Sequence, residues 1–272
     1  MESYNLIKEE LKKPIEEIDW KFIERKLPEI EINKLNRSDE NLLFLFSSCE
    51  APISIYSKAL DLGINPNQKN KRYGRTCAFY IKDVEILGLL KTKGLNVNHL
   101  DNSEWTFAHY SISNFDILSF ALNSGLDIST KNRFGRNIMF TLVEDVRQND
   151  LEKYLQLLID NGADINIKDE FGITPIHFSI VVSNIFALSG LASNGADTKT
   201  PLSKNFMWEY GGKPNIELKK GSTIYDTVES FGKWTENITD SIGGEWVDEK
   251  KEDYNNYLRI LNIKPKKKWW KF

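Results

Sequence analysis

The stretch Asn161–His177, NGADINIKDEFGITPIH, decides the fold of this 272-residue chain. Gly162 follows the apolar run YLQLLI at 154–159, where a helix commonly ends in a residue with a positive φ angle. Thr174 is a typical helix N-cap residue, and Pro175 suits the first turn of the helix that follows it. The stretch therefore predicts the end of one helix, a polar turn and the start of the next.

Weaker copies of this stretch recur at a period near 33 residues. The first part returns at five glycines, Gly63, Gly94, Gly125, Gly162 and Gly195. The second part follows the first four of them, as RYGRTCAF (72–79), NSEWTFAH (102–109), RFGRNIMF (133–140) and EFGITPIH (170–177). Such a period indicates a repeat array in which no helix pair buries its apolar face alone, so that neighbours stack on one another.

These residues resemble the ankyrin repeat, whose pattern is roughly D-x-x-G-x-T-P-L-H, two short helices and then G-A-D-V-N. The copy at Asn161–His177 matches nearly every position, whereas Cys77 takes the Pro position and Phe140 the His position of weaker copies. The resemblance implies an all-α solenoid of stacked helix-turn-helix units with short β-hairpin-like fingers, a helical N-cap and an elaborated C-terminal cap. The structural turn residues that it implies are Thr106, His109, Thr174 and His177.

Four regions are expected along the chain. They are an N-terminal helical cap at 1–35, about five ankyrin repeats at 36–200, an insert with a C-terminal capping repeat at 201–263, and a basic aromatic tail at 264–272. The repeat signature restarts at Gly221 and Thr223 after roughly 16 additional residues. Residues 232–248 read as a second interruption before a last helix at 252–263.

Composition excludes several classes of protein. With 40% hydrophobic residues and a net charge of -3, the chain is not a disordered protein. No apolar stretch approaches the 18 residues or so of a membrane-spanning helix, and the first residues lack the apolar core of a secretory signal. Two cysteines provide neither a disulfide framework nor a zinc site, so a cytoplasmic location is expected.

The sequence contains no pattern typical of catalysis or of metal binding. There is no HExxH, CxxC, GxSxG or GxxxxGK[ST], and His109 and His177 occupy the same turn position of two repeats. We therefore expect no catalytic residue, metal, cofactor or small-molecule substrate. An enzyme whose site lies in the insert at 199–248 is the least favoured alternative.

The predicted turns between repeats are rich in basic residues, although the chain without its five tail lysines has 31 basic and 39 acidic residues. In ankyrin proteins the fingertips and first helices line the binding face. Two interpretations stay open, ordinary solvated turns or a cationic row that steers an acidic surface of a partner protein. Nucleic acid is not expected, because the acidic body would repel phosphates.

Aromatic residues are concentrated after residue 200, and Trp and Tyr are enriched at binding hot spots. Trp208 and Tyr210 favour contact with a partner, whereas Trp234 and Trp246 favour sealing the end of the repeats. The tail KPKKKWWKF fits lipid or nucleic-acid binding, nuclear import, a solvated end or packing under the last helix. The candidate partner-binding residues are Lys71, Arg72, Arg75, Trp105, Lys131, Arg133, Arg136, Lys168, Trp208 and Tyr210.

The sequence therefore predicts a non-catalytic protein-binding module. Its 25 asparagines, with abundant Lys and Ile, suggest an AT-rich genome. By analogy, a free-standing ankyrin protein there resembles an inhibitor or immunity protein that neutralises a toxin or enzyme with an acidic surface. The alternative is a secreted effector or scaffold that binds host proteins.

Overall fold

The computed structural model describes residues 2–146, 151–210, 213–239 and 245–263. Within these residues the regular secondary structure is helical apart from one two-stranded sheet, so the prediction of an all-α fold is confirmed. The chain divides into two compact units, unit 1 (Met1–Asp127) and unit 2 (Ile128–Phe272). The predicted boundaries between cap, repeats, insert and tail stay predictions.

Unit 1 begins with helices that precede the repeats and continues with helix pairs. Its helices are α1 (Glu2–Glu10), α2 (Trp20–Lys26), α3 (Leu42–Ser48), α4 (Ile53–Asp61), α5 (Val84–Thr92), α6 (Phe107–Tyr110) and α7 (Phe115–Asn123). Short 3-10 helices lie at Ile15–Glu17, Leu27–Glu29 and Cys77–Tyr80, the last being the first helix of its pair. Helix α1 lies within the region predicted as an N-terminal helical cap, and it buries Tyr4 and Ile7.

Unit 2 contains helix pairs and a β-hairpin. Its elements are α8 (Ile138–Asp145), α9 (Leu151–Asp160), α10 (Pro175–Val181), α11 (Ile185–Ser193), β1 (Phe206–Tyr210), β2 (Lys213–Leu218), α12 (Ile224–Thr239) and α13 (Glu245–Ile260). The two strands are antiparallel, with Phe206 opposite Leu218, and a register shift follows Trp208. The sequence reading placed an insert here without identifying the hairpin.

The predicted interruption at 232–248 is wrong over most of its length. Helix α12 continues through Gly232 to Thr239, and α13 begins at Glu245, well before the predicted helix start at residue 252. The two helices pack on each other, with the rings of Phe231 and Tyr257 5.1 Å apart. Tertiary packing therefore outweighs the weak helix propensity of Gly232, which is buried inside α12.

Asparagine and aspartate side chains set where many helices begin. Asn41, Asn114, Asn137 and Asn184 each precede a helix and accept a hydrogen bond from a backbone N–H of its first turn. Asp83 does the same for α5. These bonds satisfy N–H groups that have no partner inside the helix, which fixes the start of each apolar run.

A second set of asparagines ties neighbouring repeats together. In unit 1, Asn67 donates from Nδ2 to the carbonyl of Gly94 at 2.8 Å and accepts from the N–H of Asn96 at 2.7 Å. Asn33 and Asn98 make the same pair of bonds one repeat earlier and one repeat later. Because the same Asn side chain bonds to the backbone of the following repeat in all three places, these bonds give a structural reason for the recurrence of Asn at this position.

Candidate protein-binding surface

Short turns, which we call the fingers, precede the first helix of each pair. They span 36–40, 70–75 and 101–105 in unit 1, and 132–136 and 169–173 in unit 2. Each begins with Asn or Asp, whose side chain closes the turn. In the last finger Asp169 accepts the N–H groups of Phe171 and Ile173 at 2.9 Å each, while its own N–H donates to the Ile173 carbonyl at 2.9 Å. The side chain therefore rigidifies the finger from within.

The tip of a finger requires a left-handed backbone. Gly172 has φ 82°, and a Cβ atom there would lie 2.5 Å from the backbone nitrogen of Ser203. In the finger at 101–105 the same conformation falls on Glu104, with φ 63°. Backbone segments thus lie too close together in unit 2 for a side chain at Gly172, which accounts for glycine there.

The turn histidines lie against the threonines that precede them. Thr106 Oγ1 lies 2.8 Å from His109 Nδ1, and Thr174 Oγ1 lies 2.7 Å from His177 Nδ1. Burial lowers the pKa of His109 to about 3 and that of His177 to about 4. Both imidazoles are therefore neutral at physiological pH, and Nδ1 can accept a hydrogen bond from the threonine hydroxyl.

Arg75 lies in a cluster of aromatic and acidic side chains in unit 1. Its Nε donates to Asp101 Oδ2 at 2.9 Å, and its guanidinium lies 4.0 Å from the centre of the Tyr110 ring. The Tyr110 hydroxyl donates to the same carboxylate oxygen at 2.9 Å. Because the Asp101 side chain is only 1% exposed, Arg75 is held inside the molecule by a buried partner.

Arg136 repeats this arrangement in unit 2. Its Nε donates to Asp169 Oδ2 at 3.1 Å, and its guanidinium lies 4.3 Å from the ring of Phe178 and 5.8 Å from that of Trp208. Burial raises the pKa of Asp169 even though Arg136 and two backbone N–H groups favour its charged form. The cost of desolvating the two charges offsets much of the attraction between them, so the main effect of the ion pair is to fix one arrangement of the two side chains.

These clusters change the interpretation of two candidate residues. The sequence predicts Arg75 and Arg136 as partner contacts, because both belong to basic turns. The structure gives both an intramolecular role, since an Asp at the start of the following finger reaches each of them. In both cases an Arg near the end of one finger is followed by an Asp at the start of the next finger, and this recurrence was the sequence signal for the role.

The other predicted cations are exposed on the fingers or beside them. Arg72 lies 4.8 Å above the ring of Tyr73, and Arg133 lies 4.9 Å above that of Phe134. Within the described residues, none of this group has an ion-pair partner. The group consists of Lys71 and Arg72 in unit 1 and of Lys131, Arg133 and Lys168 in unit 2.

The predicted tryptophan contacts are half-buried. The ring of Trp105 lies 4.4 Å from that of His109. The ring of Trp208 lies 5.4 Å from that of Phe178, edge to face, and stacks on Phe206. Trp208 thus packs on its own unit and leaves only part of its surface for a partner.

Some predicted residues fall outside the described part of the chain. The backbone of Tyr210 belongs to β1, but its side chain is not among those described, and the same holds for Trp234 and Trp246. The tail at 264–272, with both of its tryptophans, also lies outside the described residues.

Comparison with known proteins assigns the repeats to a family. No family model matches the sequence. A putative ankyrin repeat protein of Fowlpox virus (strain NVSL) is 36% identical over 74 residues, which is 27% of this chain and 17% of that protein. A putative ankyrin repeat protein of Rickettsia felis (strain ATCC VR-1525 / URRWXCal2) is 30% identical over 116 residues, covering 39% of this chain and 51% of that protein. The matched sequences and the fold both support an ankyrin repeat protein.

A solved structure agrees with this assignment at the level of fold. The ankyrin repeat domain of Bcl-3 matches with a TM-score of 0.60 at 17% identity, over 80% of this chain and 98% of that one. The chain spans about half of the Rickettsia protein and less of the Fowlpox virus protein. These ankyrin similarities support a protein-binding module.

Three exposed tyrosines of this ankyrin protein are not among the partner-binding residues predicted from the sequence. Tyr73, Tyr80 and Tyr110 lie on a finger and at the ends of two first helices of unit 1, with 39%, 38% and 45% of their surface exposed. Tyr80 and Tyr110 each come four residues after the threonine that starts the helix, Thr76 and Thr106. That shared position was the available signal.

The ankyrin scaffold offers little sign of catalytic chemistry in its described residues. They contain no group of three or more His, Cys, Asp or Glu side chains that could hold a metal, and no helix among them is long and apolar enough to cross a bilayer. Burial raises the pKa of the Cys77 thiol to about 12, so this cysteine is a packing group.

Proposed function

We propose that this ankyrin protein binds and neutralises a partner protein, as an inhibitor or immunity-type protein does, and that it acts in the cytoplasm without catalysis. The observation that carries the proposal is the set of exposed finger cations, Lys71 and Arg72 in unit 1 and Lys131, Arg133 and Lys168 in unit 2. Arg72 and Arg133 belong to the same fingers as Arg75 and Arg136, yet only the latter two have a carboxylate partner within the described residues.

An acidic surface is the partner chemistry that this difference favours. The exposed cations can meet a carboxylate on another protein without breaking an ion pair of their own. Charged groups at the edge of an interface raise the association rate and its dependence on salt more than they raise affinity. A finger closed by its own Asn or Asp loses little conformational freedom when it binds.

The neutralising role itself rests on analogy, and one observation favours a second role. A relative named as a putative ankyrin repeat protein comes from Fowlpox virus, and a virus multiplies in a host. An effector or scaffold that binds host proteins therefore stays the alternative. An enzyme site in the insert at 199–248 stays the weakest candidate, since the described part of that insert forms a hairpin and a helix.

The test combines capture with a growth assay. The tagged chain is used to capture proteins from a lysate of its native cells, and the recovered partner is then expressed alone and together with this chain. We expect one stoichiometric partner that arrests growth when expressed alone and is harmless in the presence of this chain. The variant with Arg72→Glu and Arg133→Glu should bind the partner at least tenfold more weakly than the natural chain at low salt. The loss of affinity should be smaller at high salt, because salt screens the charges.

The matched control carries the same change of charge on second helices. Lys91 in α5 and Arg259 in α13 are exposed, and replacing both with Glu should leave partner affinity unchanged. An equal loss of partner affinity in the two double variants would mean that net charge alone causes the effect. It would contradict a partner-binding role for the fingers. If the captured partner does not affect growth when it is expressed alone, the result would contradict neutralisation and favour the scaffold role.

A further inference from the structure

A cavity of about 270 Å³ opens on the finger side of unit 1. It lies between the fingers at 36–40 and 70–75 and the first helices that follow them. Aromatic and aliphatic side chains, Phe44, Leu45 and Tyr80, provide its apolar wall. Glu40 and Arg72 bring one negative and one positive charge to the same cavity. Its volume fits one large side chain.

Glu40 has free hydrogen-bonding capacity in this cavity. Its Oε2 accepts from Asn36 Nδ2 at 2.9 Å, and its Oε1 has only a long contact of 3.5 Å with Asn70 Nδ2. Both donors are neutral amides, and the described residues contain no ion-pair partner for this half-buried carboxylate. An ionised carboxylate offers about four acceptor positions, so Glu40 can accept further hydrogen bonds from a cation.

The ring of Tyr80 lies beside this carboxylate. Its hydroxyl accepts from Asn70 Nδ2 at 3.1 Å, the same amide group that approaches Glu40, and its ring centre lies 6.0 Å from that of Phe44. Asn70 thus holds the Tyr80 hydroxyl and also approaches the Glu40 carboxylate, so that the tyrosine ring and the carboxylate lie around one amide group. Arg72, by contrast, lies over the neighbouring ring of Tyr73, which leaves Tyr80 free to receive another cation.

We propose that this cavity binds an arginine side chain of a partner segment in which an acidic residue follows the arginine. The guanidinium would lie on the Tyr80 ring and donate to Glu40, while the acidic residue would meet Arg72. A planar guanidinium suits both a carboxylate and an aromatic face, which a lysine ammonium matches less well. The inference rests on the proposed protein-binding function and names one anchor for its partner.

Charge balance explains why a lone cation is not the expected ligand. Glu40 and Arg72 together make the cavity neutral, and the exposed Lys71 adds positive charge at its edge. A segment that carries both charges satisfies Glu40 without leaving Arg72 facing a like charge. The acidic residue also agrees with the acidic partner surface proposed for the fingers.

Dipeptides test the cavity without knowledge of the partner. Acetyl-Arg-Glu-amide is titrated into the full chain, and the NMR signals of Tyr80 and of the backbone amides at 38–40 and 70–73 are followed. We expect saturable shifts, with acetyl-Gln-Glu-amide binding about tenfold more weakly. Glu40→Gln should weaken acetyl-Arg-Glu-amide about tenfold. Tyr80→Leu should weaken it about threefold, because it keeps apolar volume but removes the ring.

Glu85→Gln is the matched control, since Glu85 is an exposed acid on α5 that does not line the cavity. It should leave the dissociation constant unchanged, and the thermal midpoint of each variant reports whether the fold is kept. Equal binding of the Gln and Arg dipeptides, or unchanged binding by Glu40→Gln, would overturn the proposal. Equal binding of acetyl-Lys-Glu-amide would overturn the assignment to arginine.

The result is separable from the outcome for the proposed function. If the finger variant loses its partner but the dipeptide does not bind, only the cavity proposal fails. If the dipeptide binds as expected but the chain captures no partner, the proposed function fails and the cavity remains a site for arginine.

Discussion

The finger face of each unit contains a buried Arg–Asp ion pair, but different groups cover the pair in the two units. In unit 1 the Arg75–Asp101 pair is completed by the hydroxyl of Tyr110, a residue that is 45% exposed. In unit 2 the position of Tyr110 is taken by Phe178, which is fully buried and packs against Trp208 of β1. A hydrogen bond completes the pair in one unit, and an aromatic ring covers it in the other.

This difference indicates what the hairpin does in unit 2. Phe206 and Trp208 of β1 lie on side chains of the last repeat in unit 2, so that the inserted segment covers a surface whose counterpart in unit 1 is open. The open surface in unit 1 contains three exposed tyrosines and the cavity beside Glu40. We therefore expect aromatic contacts with a partner to be concentrated in unit 1.

Removal of the buried carboxylate in unit 2 should give the largest effect. Asp169→Ala leaves the Arg136 guanidinium without a partner in a site where the Asp side chain is fully buried, and it also removes the acceptor that closes the finger. We expect the free energy of unfolding, measured with urea, to fall by about 3–5 kcal/mol. Asp101→Ala should cost less, because Arg75 is more exposed than Arg136 and can turn toward water.

The neighbouring exposed acid provides the control for this change. Glu170→Ala should alter the free energy of unfolding by less than about 0.5 kcal/mol, because the Glu170 side chain is exposed. If Asp169→Ala cost no more than Glu170→Ala, the ion pair would have no part in holding the unit together.

Acidification should destabilise both units through their turn histidines. Burial lowers the pKa of His109 to about 3 and that of His177 to about 4, whereas an unfolded chain protonates histidine near pH 6.5. The unfolded state therefore binds more protons below pH 6.5, and stability falls as the pH decreases toward those values. Each histidine should cost about 2 kcal/mol between pH 6.5 and pH 5.

Urea unfolding at a series of pH values checks this prediction. His177→Gln removes one buried imidazole and should reduce the slope of stability against pH by about half, whatever it costs at pH 7. Asp169 and Asp253 act in the opposite direction, since burial raises their pKa. A slope that is the same in His177→Gln and in the natural chain would mean that His177 titrates alike in both states.

The sequence predicted the parts of the fold that local chemistry determines. The helix start at Thr174–Pro175 and the positive φ at Gly162 and Gly195 follow from capping and turn rules that act within a few residues, and the structure has all of them. The repeat period then required the helix pairs. These features are predictable because the same local residue pattern recurs in each copy of the repeat.

Features that depend on distant contacts were not predictable from the sequence alone. The hairpin lies where the period breaks, and α12 passes through Gly232 because α13 packs against it. For the surface, residue type marked the basic fingers but not which cations are free. Arg72 and Arg75 lie three residues apart, yet of the two only Arg75 forms an ion pair with a described residue, and the carboxylate of that pair belongs to the next repeat.

The smallest expected effect tests the comparison most directly. Tyr110→Phe removes only the hydroxyl that donates to Asp101 and so converts the unit 1 cluster to the form seen at Phe178 in unit 2. Because Arg75 still holds the same carboxylate oxygen, we expect a loss of about 1 kcal/mol in the free energy of unfolding. Tyr73→Phe is the matched control, since within the described residues the Tyr73 hydroxyl makes no hydrogen bond and both arginines keep their ring contact. A loss of similar size in the two variants would mean that the hydroxyl of Tyr110 does not complete the pair, and that the open face of unit 1 is stabilised by ring packing alone.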